Sequence, residues 1–294
     1  MEKIVPDGPD LCTQAETSVE VPPSYPAYLR WVAVATLPCL AVQVYRFGWI
    51  VLLTLAVVLA VAAALELGVE VLRRRSAPKT FLTTALLFVL VLPPGIPLWM
   101  VALGIAFAVL IGKEVFGGSG RHLVNPPLLG LTFLVLSYPQ PMLAAFRSSP
   151  PANTLALLAI LLGGILLLAL RVIDWRIVVG ILGSFVALAI SFDLFSGPEG
   201  LLTILQTQLL AGGLLFGTFF LATDPVTSPP RPIGRLLFGI LIGVGAVFLR
   251  RFSVTPDDAG VAILVANVLA PFLARLDRLF SRRSNPEMVE GKTP

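Results

Sequence analysis

Residues 97–138, PLWMVALGIAFAVLIGKEVFGGSGRHLVNPPLLGLTFLVLSY, contain the pattern that decides the fold of this chain. Two continuous apolar segments, at about 97–112 and 126–138, flank a polar loop with three glycines in four residues. Continuous apolar runs favour membrane-spanning helices over half-buried strands, which would alternate. Because non-helical backbone at membrane depth survives only inside protein or beside a cavity, the loop is a candidate site.

The composition of the whole chain is that of a helical membrane protein. Of the 294 residues, 56% are hydrophobic and 13% are charged, and the mean hydropathy is +0.91. A soluble fold of this length needs far more polar surface to cover its core. A soluble enzyme, a nucleic-acid-binding domain and a disordered protein are therefore excluded. We expect the lipid bilayer, and no nucleic acid, as a partner of this chain.

Ten apolar segments predict an all-α polytopic membrane protein with about ten transmembrane helices. They lie at about 29–45, 49–71, 80–92, 97–112, 126–138, 154–171, 177–193, 201–222, 235–249 and 259–274. With the N-terminus in the cytoplasm, this threading places 17 of the 21 Lys and Arg residues on the cytoplasmic side. The asymmetry follows the positive-inside rule and predicts that both termini are cytoplasmic.

The segments are predicted to form a single domain between two tails. Residues 1–27 are expected to be a mobile cytoplasmic tail, 28–276 the transmembrane domain, and 277–294 a polar cytoplasmic tail. Each half of the domain has one glycine-rich stretch that meets a proline-rich break, which suggests repeats at about 28–140 and 150–276. Five helices per repeat would make the two repeats inverted in the membrane.

The first candidate motif is the glycine-rich loop at residues 112–127. Its glycines allow positive φ and a close approach of the backbone to a ligand, and they are Gly117, Gly118 and Gly120. Asn125, followed by Pro126, is placed to start the next helix. Charged side chains cluster in this loop and favour a functional site over an ordinary capped loop: Lys113, Glu114 and Arg121. His122 alone could simply be solvated, and it is given no ligand role.

The second candidate motif, residues 216–230, contains an acid at the end of an apolar run. Thr223 and Asp224 are followed at once by Pro225, which breaks the helix. The Asp224 carboxylate can then cap the following turn or face a polar cavity, and the two roles are compatible.

Other polar and glycine-rich features are predicted to be structural. Asp174 is expected to pair with nearby arginines in a short cytoplasmic turn, where such pairs contribute little. The glycine pairs at 163–164 and 212–213 are expected to be close helix contacts rather than ligand sites.

The two motifs closely resemble signatures of one family of membrane proteins, NqrB/RnfD. The matching stretches are GKEVFGGSGR at 112–121 with Asn-Pro at 125–126, and FFLATDPVTSP at 219–229. NqrB belongs to the sodium-translocating NADH:quinone reductase, and RnfD belongs to the Rnf electron-transport complex. The likeness continues through Gly234, Arg235 and the stretch 267–271 and covers about residues 30–275.

The resemblance implies both a fold and a function. The fold would be ten helices in two inverted five-helix repeats, similar to urea transporters. The chain would be one component of a redox pump in the bacterial inner membrane, working with other membrane and peripheral subunits. In that family this component carries flavin (FMN or riboflavin), helps electrons to reach quinone and takes part in Na⁺ or H⁺ movement.

The resemblance also implies roles for particular residues. It places Gly117, Gly118 and Gly120 in the quinone region. It also associates an ion-related or structural role with four motif residues: Glu114, Asn125, Thr223 and Asp224.

The flavin attachment site departs from the family pattern. The family attaches FMN to a threonine in the motif Asp-x-x-Ser/Thr-Gly-Ala-Thr, and the matching stretch here is Asp193-Leu-Phe-Ser196-Gly197-Pro-Glu199. Ser196 and Gly197 agree with the motif, whereas Glu199 stands at the acceptor position. A carboxylate cannot form that phosphoester in the usual way, and Thr203 could replace it only if the loop shifted register. The family also often has an acid shortly after Ala270-Pro271, where this chain has apolar residues 272–274.

Two other functions remain open on sequence alone. The same architecture could serve as a channel or transporter for a small neutral solute, or as a structural subunit without redox activity. The sequence has no nucleotide-binding glycine fingerprint after a strand, so NADH oxidation would belong to partner subunits.

Overall fold

A computed structural model of the chain describes residues 25–74, 80–118, 120–150, 153–193, 209, 213–252 and 257–284, the last eight for their backbone only. The described residues form helices and connecting turns, without strands. The α-helices are α1 (Tyr25–Phe47), α2 (Ile50–Arg73), α3 (Phe81–Val91), α4 (Leu98–Val109), α5 (Pro126–Ser137), α6 (Pro139–Ser148), α7 (Thr154–Ala169), α8 (Trp175–Asp193), α9 (Leu214–Phe216), α10 (Pro232–Phe252) and α11 (Asp258–Ser284). Two π-helical turns continue α4 and α9: π1 (Leu110–Glu114) and π2 (Gly217–Leu221).

Most helices lie where the apolar segments predict them, with three differences. Helix α6 was not predicted, and it bends away from α5 by 111°. Helix α11 continues to Ser284, well beyond the predicted end at 274, because no glycine or proline stops it after Pro271. The predicted segment at 201–222 lies mostly outside the described residues.

Local sequence explains where two of the helices begin. Asn125 caps α5 by accepting a hydrogen bond from the Leu128 backbone N–H, and two prolines occupy the first positions of that helix. Asn153 caps α7 in the same way, with Oδ1 accepting from the Ala156 N–H at 2.9 Å. The prediction that a helix starts at Asn125 is confirmed.

Five of the described helices are long and apolar enough to cross a membrane, or six if the bent α5–α6 pair counts as one span. Two shorter apolar helices, α3 and α7, accompany them. Helix α7 exposes an apolar stripe at helical spacing, made of Leu155, Leu158, Leu162 and Ile165. A stripe of this kind suits contact with lipid rather than with water. The full count of ten spans remains a prediction.

The apolar interior divides into two clusters that follow the chain. One is built mainly from α2 to α6, and the other mainly from α7 to α11 together with α1. Helix α1 packs against α7 and so joins the two halves. The motif loops lie where these two clusters meet.

The two predicted glycine contacts have different outcomes. Gly164 is a close helix contact, because a Cβ there would lie 2.5 Å from the ring of Phe219. For Gly213 the prediction is wrong: its φ of +67° starts α9, and a Cβ there would meet nothing within 4 Å. Gly212 lies outside the described residues.

Candidate functional site

Both candidate motifs contain a π-helical turn. π1 ends at Glu114, just before the glycine cluster that begins at Gly117, and π2 ends at Leu221, shortly before Asp224. π-helical turns are uncommon and occur frequently at functional sites. Both motifs are visible in the sequence, but apolar periodicity does not reveal this backbone feature.

The glycines of the first motif have the backbone that was predicted for them. The φ angles of Gly117, Gly118 and Gly120 are +107°, +94° and +84°, a region that residues with a Cβ rarely adopt. The Gly118 N–H donates to the carbonyl of Lys113 at 3.0 Å, which turns the chain back over π1. The role of these glycines in the quinone region remains a prediction.

The folded loop brings the two motifs into direct contact through Asn125. Its Nδ2 donates to the Leu221 carbonyl at the end of π2, at 3.2 Å. This bond joins residues 96 positions apart in the sequence. Asn125 therefore both starts α5 and links the two halves.

A second link between the motifs is the pair His122–Asp224. The His122 Nε2 lies 3.0 Å from Asp224 Oδ2, and Asp224 Oδ1 accepts from the Val226 N–H at 2.9 Å. Asp224 thus has both of its predicted roles: it caps the following turn, and it faces a polar cavity. The expectation that His122 is solvated is wrong, since only 3% of the residue is exposed, and its ring lies beside that of Tyr25. The polar sequence around His122 does not indicate that this loop folds inward onto the second motif.

Thr223, the fourth predicted motif residue, has a local and a distant contact. Its Oγ1 donates to the Phe219 carbonyl at 2.8 Å, and the residue is buried. Its side chain also contacts the Tyr28 side chain, so Thr223 links the second motif to α1.

Lys113 of the first motif forms a buried ion pair that the sequence did not predict. Lys113 forms a salt bridge with Glu66 on α2, and the two side chains are 2% and 3% exposed. The Lys113 ammonium also donates to the hydroxyls of Thr80 and Thr84. One sequence signal could have found Glu66, because an acid inside an apolar segment requires a partner.

Glu114 is anchored to the end of α2. Arg73 reaches its side chain with Nη1 at 3.3 Å from Oε2, and Nη2 donates to the Glu114 carbonyl at 2.8 Å. The neighbouring residues 113 and 114 therefore both bind α2, which fixes π1 against that helix.

These residues enclose a small polar cavity between the halves. Its volume is about 20 Å³, which holds about one water molecule and leaves no room for a flavin or quinone ring. Its polar lining consists of Tyr25, Tyr28, Thr83, Thr84, Lys113, His122, Asn125 and Asp224.

Asp174 lies outside the spanning helices and pairs with arginines, as predicted. Its Oδ2 is 2.6 Å from Arg235 Nη1 and 3.4 Å from Arg176 Nη1. Burial alone would raise the pKa of Asp174, but the Arg176 backbone N–H and the Arg235 guanidinium outweigh burial and lower it. Arg235 was not expected as a partner, because it is 61 residues away.

The predicted flavin position falls on a part of the chain that the structure does not describe. Ser196, Gly197, Glu199 and Thr203 all lie outside the described residues.

Comparison with known proteins identifies the family. The model of the NQR2, RnfD, RnfE family matches residues 13–154 and 152–281. The chain belongs to this family. The resemblance found from the two motifs is thereby confirmed.

Relatives in the family are named as components of two kinds of complex. The chain is 30% identical to a subunit of the ion-translocating oxidoreductase complex of Actinobacillus succinogenes, over 85% of this chain and 91% of that protein. It is 35% and 36% identical to a subunit of the Na⁺-translocating NADH-quinone reductase of Ectopseudomonas mendocina and of Azotobacter vinelandii. Those two alignments cover 69% and 68% of this chain but only 60% of each relative.

Proposed function

We propose that this chain is the integral membrane subunit of an ion-translocating electron-transport complex of the Nqr/Rnf type. The observation that carries the proposal is that the two family motifs meet, through Asn125–Leu221 and His122–Asp224. The chain would support flavin-mediated electron transfer towards quinone, coupled to Na⁺ or H⁺ movement. The other membrane and peripheral subunits of the complex would be its partners, and one of them would oxidise the electron donor.

The proposed setting is the bacterial inner membrane, with both termini in the cytoplasm. The proposed domain, residues 28–276, contains ten helices in two inverted repeats, at about 28–140 and 150–276, with polar tails at 1–27 and 277–294. Two observations support this arrangement: the apolar interior divides into two clusters, and the described helices expose apolar side chains. The asymmetry of Lys and Arg among the loops supports the orientation.

The pairs of ionisable side chains inside the helical domain give the chain a means of acting on an ion. Lys113, His122 and Asp224 line the small cavity, and ionisable groups among spanning helices commonly mark ion or proton pathways.

The residue at the flavin attachment position does not fit covalent FMN. Glu199 offers a carboxylate where the family uses a threonine hydroxyl, so a flavin phosphoester is not expected at this position. A flavin of the complex would be held without that bond or by another subunit.

The proposed function is tested in inverted membrane vesicles from a strain that lacks this subunit. With electron donor supplied, the wild-type chain should restore donor-driven Na⁺ or H⁺ uptake, and Asp224→Ala should lower it at least tenfold, since both motifs lose a contact. Thr132→Val, which alters α5 away from the lining of the polar cavity, is the control and should restore uptake fully. Solute flux by the purified chain alone, without partner subunits, would instead support the transporter function.

A separate experiment tests the flavin attachment. After co-expression with a flavin transferase, the denatured wild-type chain should give no fluorescent band on a gel. Glu199→Thr should give one if the loop has kept its geometry. A fluorescent wild-type band would contradict the reasoning about Glu199.

A further inference from the structure

Helices α8 and α10 lie side by side and run in the same direction. A Cβ at Gly239 would lie 2.5 Å from the Ile177 carbonyl oxygen. One helical turn further along both helices, a Cβ at Gly243 would lie 2.4 Å from the Ile181 carbonyl oxygen. Because the contacts advance together, the two helices begin at the same end of the pair, and the segments that lead into them are neighbours.

These two leading segments carry more positive than negative charge. Residues 170–176 and 229–236 contain four arginines and one acid, Asp174. Asp174 Oδ2 joins the segments, since it lies 2.6 Å from Arg235 Nη1 and 3.4 Å from Arg176 Nη1. No salt bridge joins the other two arginines, which are exposed, to a described residue: Arg171 and Arg231. The four form the arginine cluster, and Asp174 balances only one of their charges.

Exposed apolar side chains surround the arginine cluster. Trp175 is 57% exposed, and the Arg176 guanidinium lies 5.1 Å from the centre of its ring. Leu170 and Ile233, in the same two segments, are exposed as well. Tryptophan is enriched at the depth where lipid head groups meet acyl chains, and arginine directs its charge to the same boundary. The arginine cluster therefore lies at the membrane surface.

An exposed apolar stripe continues from the arginine cluster along both helices. On α8 it runs from Trp175 to Val179, one turn further on. On α10 it runs from Ile233 through Leu236 to Ile240. A molecule with an anionic head and apolar chains can therefore contact the arginines and the stripe at the same time, whereas a soluble anion would leave the stripe uncovered.

We propose that the arginine cluster binds the phosphate of an anionic phospholipid. A guanidinium group gives paired hydrogen bonds to phosphate oxygens, and Arg171, Arg176 and Arg231 present such groups. The bond with Asp174 holds Arg235 in place between them. An anionic head group is favoured because a zwitterionic one carries an ammonium that the cluster repels. In the proposed orientation this lipid belongs to the cytoplasmic leaflet, and its binding does not depend on the redox function.

The test uses the fluorescence of Trp175, which lies beside the arginine cluster. In the full-length chain the other tryptophans are replaced by phenylalanine, and these are Trp31, Trp49 and Trp99. The chain is placed in phosphatidylcholine nanodiscs with increasing fractions of a lipid whose brominated acyl chains quench tryptophan. Each arginine near the membrane surface contributes a preference of about fivefold. Brominated phosphatidylglycerol should therefore quench at a mole fraction at least tenfold lower than brominated phosphatidylcholine, and equal quenching would overturn the proposal.

Paired variants connect the lipid preference to the arginine cluster. Arg171→Gln/Arg231→Gln removes the two exposed arginines and leaves the bonds of Asp174, so the preference should fall at least tenfold. The matched control, Arg147→Gln/Arg251→Gln, removes two exposed arginines on α6 and at the far end of α10 and should keep the wild-type preference. An unchanged preference in the first variant, or an equal loss in both, would refute the assignment.

A single variant provides the same information if the double variant does not fold. Arg176→Met leaves the bond between Asp174 and Arg235 and should lower the preference about fivefold. Inorganic phosphate, exchanged for chloride at equal ionic strength, should leave the wild-type preference unchanged. Loss of the preference in phosphate would assign the cluster to a soluble anion and overturn the proposal. Since the chain is tested alone, a wild type without preference would instead favour an acidic partner protein at this surface.

Discussion

Removal of one partner from the Glu66–Lys113 ion pair should destabilise the protein strongly. Both side chains are almost fully buried. The Lys113 ammonium donates hydrogen bonds to the Thr80 and Thr84 hydroxyls as well as to Glu66. In Lys113→Met the Glu66 carboxylate loses its counter-charge and keeps only its contacts with Thr80. An uncompensated buried charge of this kind costs about 3–5 kcal/mol.

The double variant shows whether the single variant is destabilised by the loss of a charge partner or by the loss of packing. In Glu66→Gln/Lys113→Met both charges are gone, so the free energy of unfolding should return to within about 1–2 kcal/mol of wild type. The assay is reversible unfolding in mixed micelles, with helix content followed by circular dichroism, for wild type, both single variants and the double variant. The control is the partly exposed pair Asp174–Arg176: Arg176→Met leaves Asp174 its bond with Arg235, so it should change stability by about 1 kcal/mol or less. Additive effects of the two buried substitutions would refute the reasoning, because they would show that the charges do not depend on each other.

Three further predictions follow from single residues. Gly164→Ala should lower the free energy of unfolding by about 1–3 kcal/mol in the same assay, because its Cβ would collide with the Phe219 ring, whereas Gly183→Ala, which has open space, should not. Gly118→Ala should cost about 1–2 kcal/mol and lower donor-driven ion uptake in vesicles, since φ is +94° there. Burial raises the pKa of Asp257, at the start of α11, to about 7, so the native state holds a proton that the unfolded chain releases near pH 4. Stability should therefore fall as pH rises from about 4 to 7, by at most about 4 kcal/mol, and Asp257→Asn should flatten that part of the curve. Unfolding of both proteins across this range measures the difference, and an unchanged slope in the variant would contradict it.

Local features of the sequence predicted local features of the fold. Continuous apolar runs located the helices, Asn125-Pro126 predicted the start of α5, and the glycine cluster predicted positive φ at Gly117, Gly118 and Gly120. Each of these depends on a few neighbouring residues, whose backbone preferences are known from peptide chemistry. Helix α6 was missed because PQPMLAAFRS is neither continuously apolar nor free of proline.

The partners of the site residues could not be predicted, because their separation in sequence carries no local signal. Lys113 meets Glu66 across 47 positions, and His122 meets Asp224 across 102. A carboxylate inside an apolar segment, such as that of Glu66, requires a cationic partner, but many segments of the chain could supply one. Only the packing of α2 against α4 and π1 selects Lys113.

The arrangement of these contacts shows why the two motifs belong together. Residues of the first motif make both the bonds within the first half, through Lys113 and Glu114, and the bonds to the second half, through His122 and Asn125. The bonds His122–Asp224 and Asn125–Leu221 thus connect the segment anchored on α2 with the second motif. The glycines between Glu114 and His122 allow the positive φ angles with which the loop turns from the first set of bonds to the second. The glycine-rich loop thus acts as the structural connection between the ion pair of one half and the carboxylate of the other.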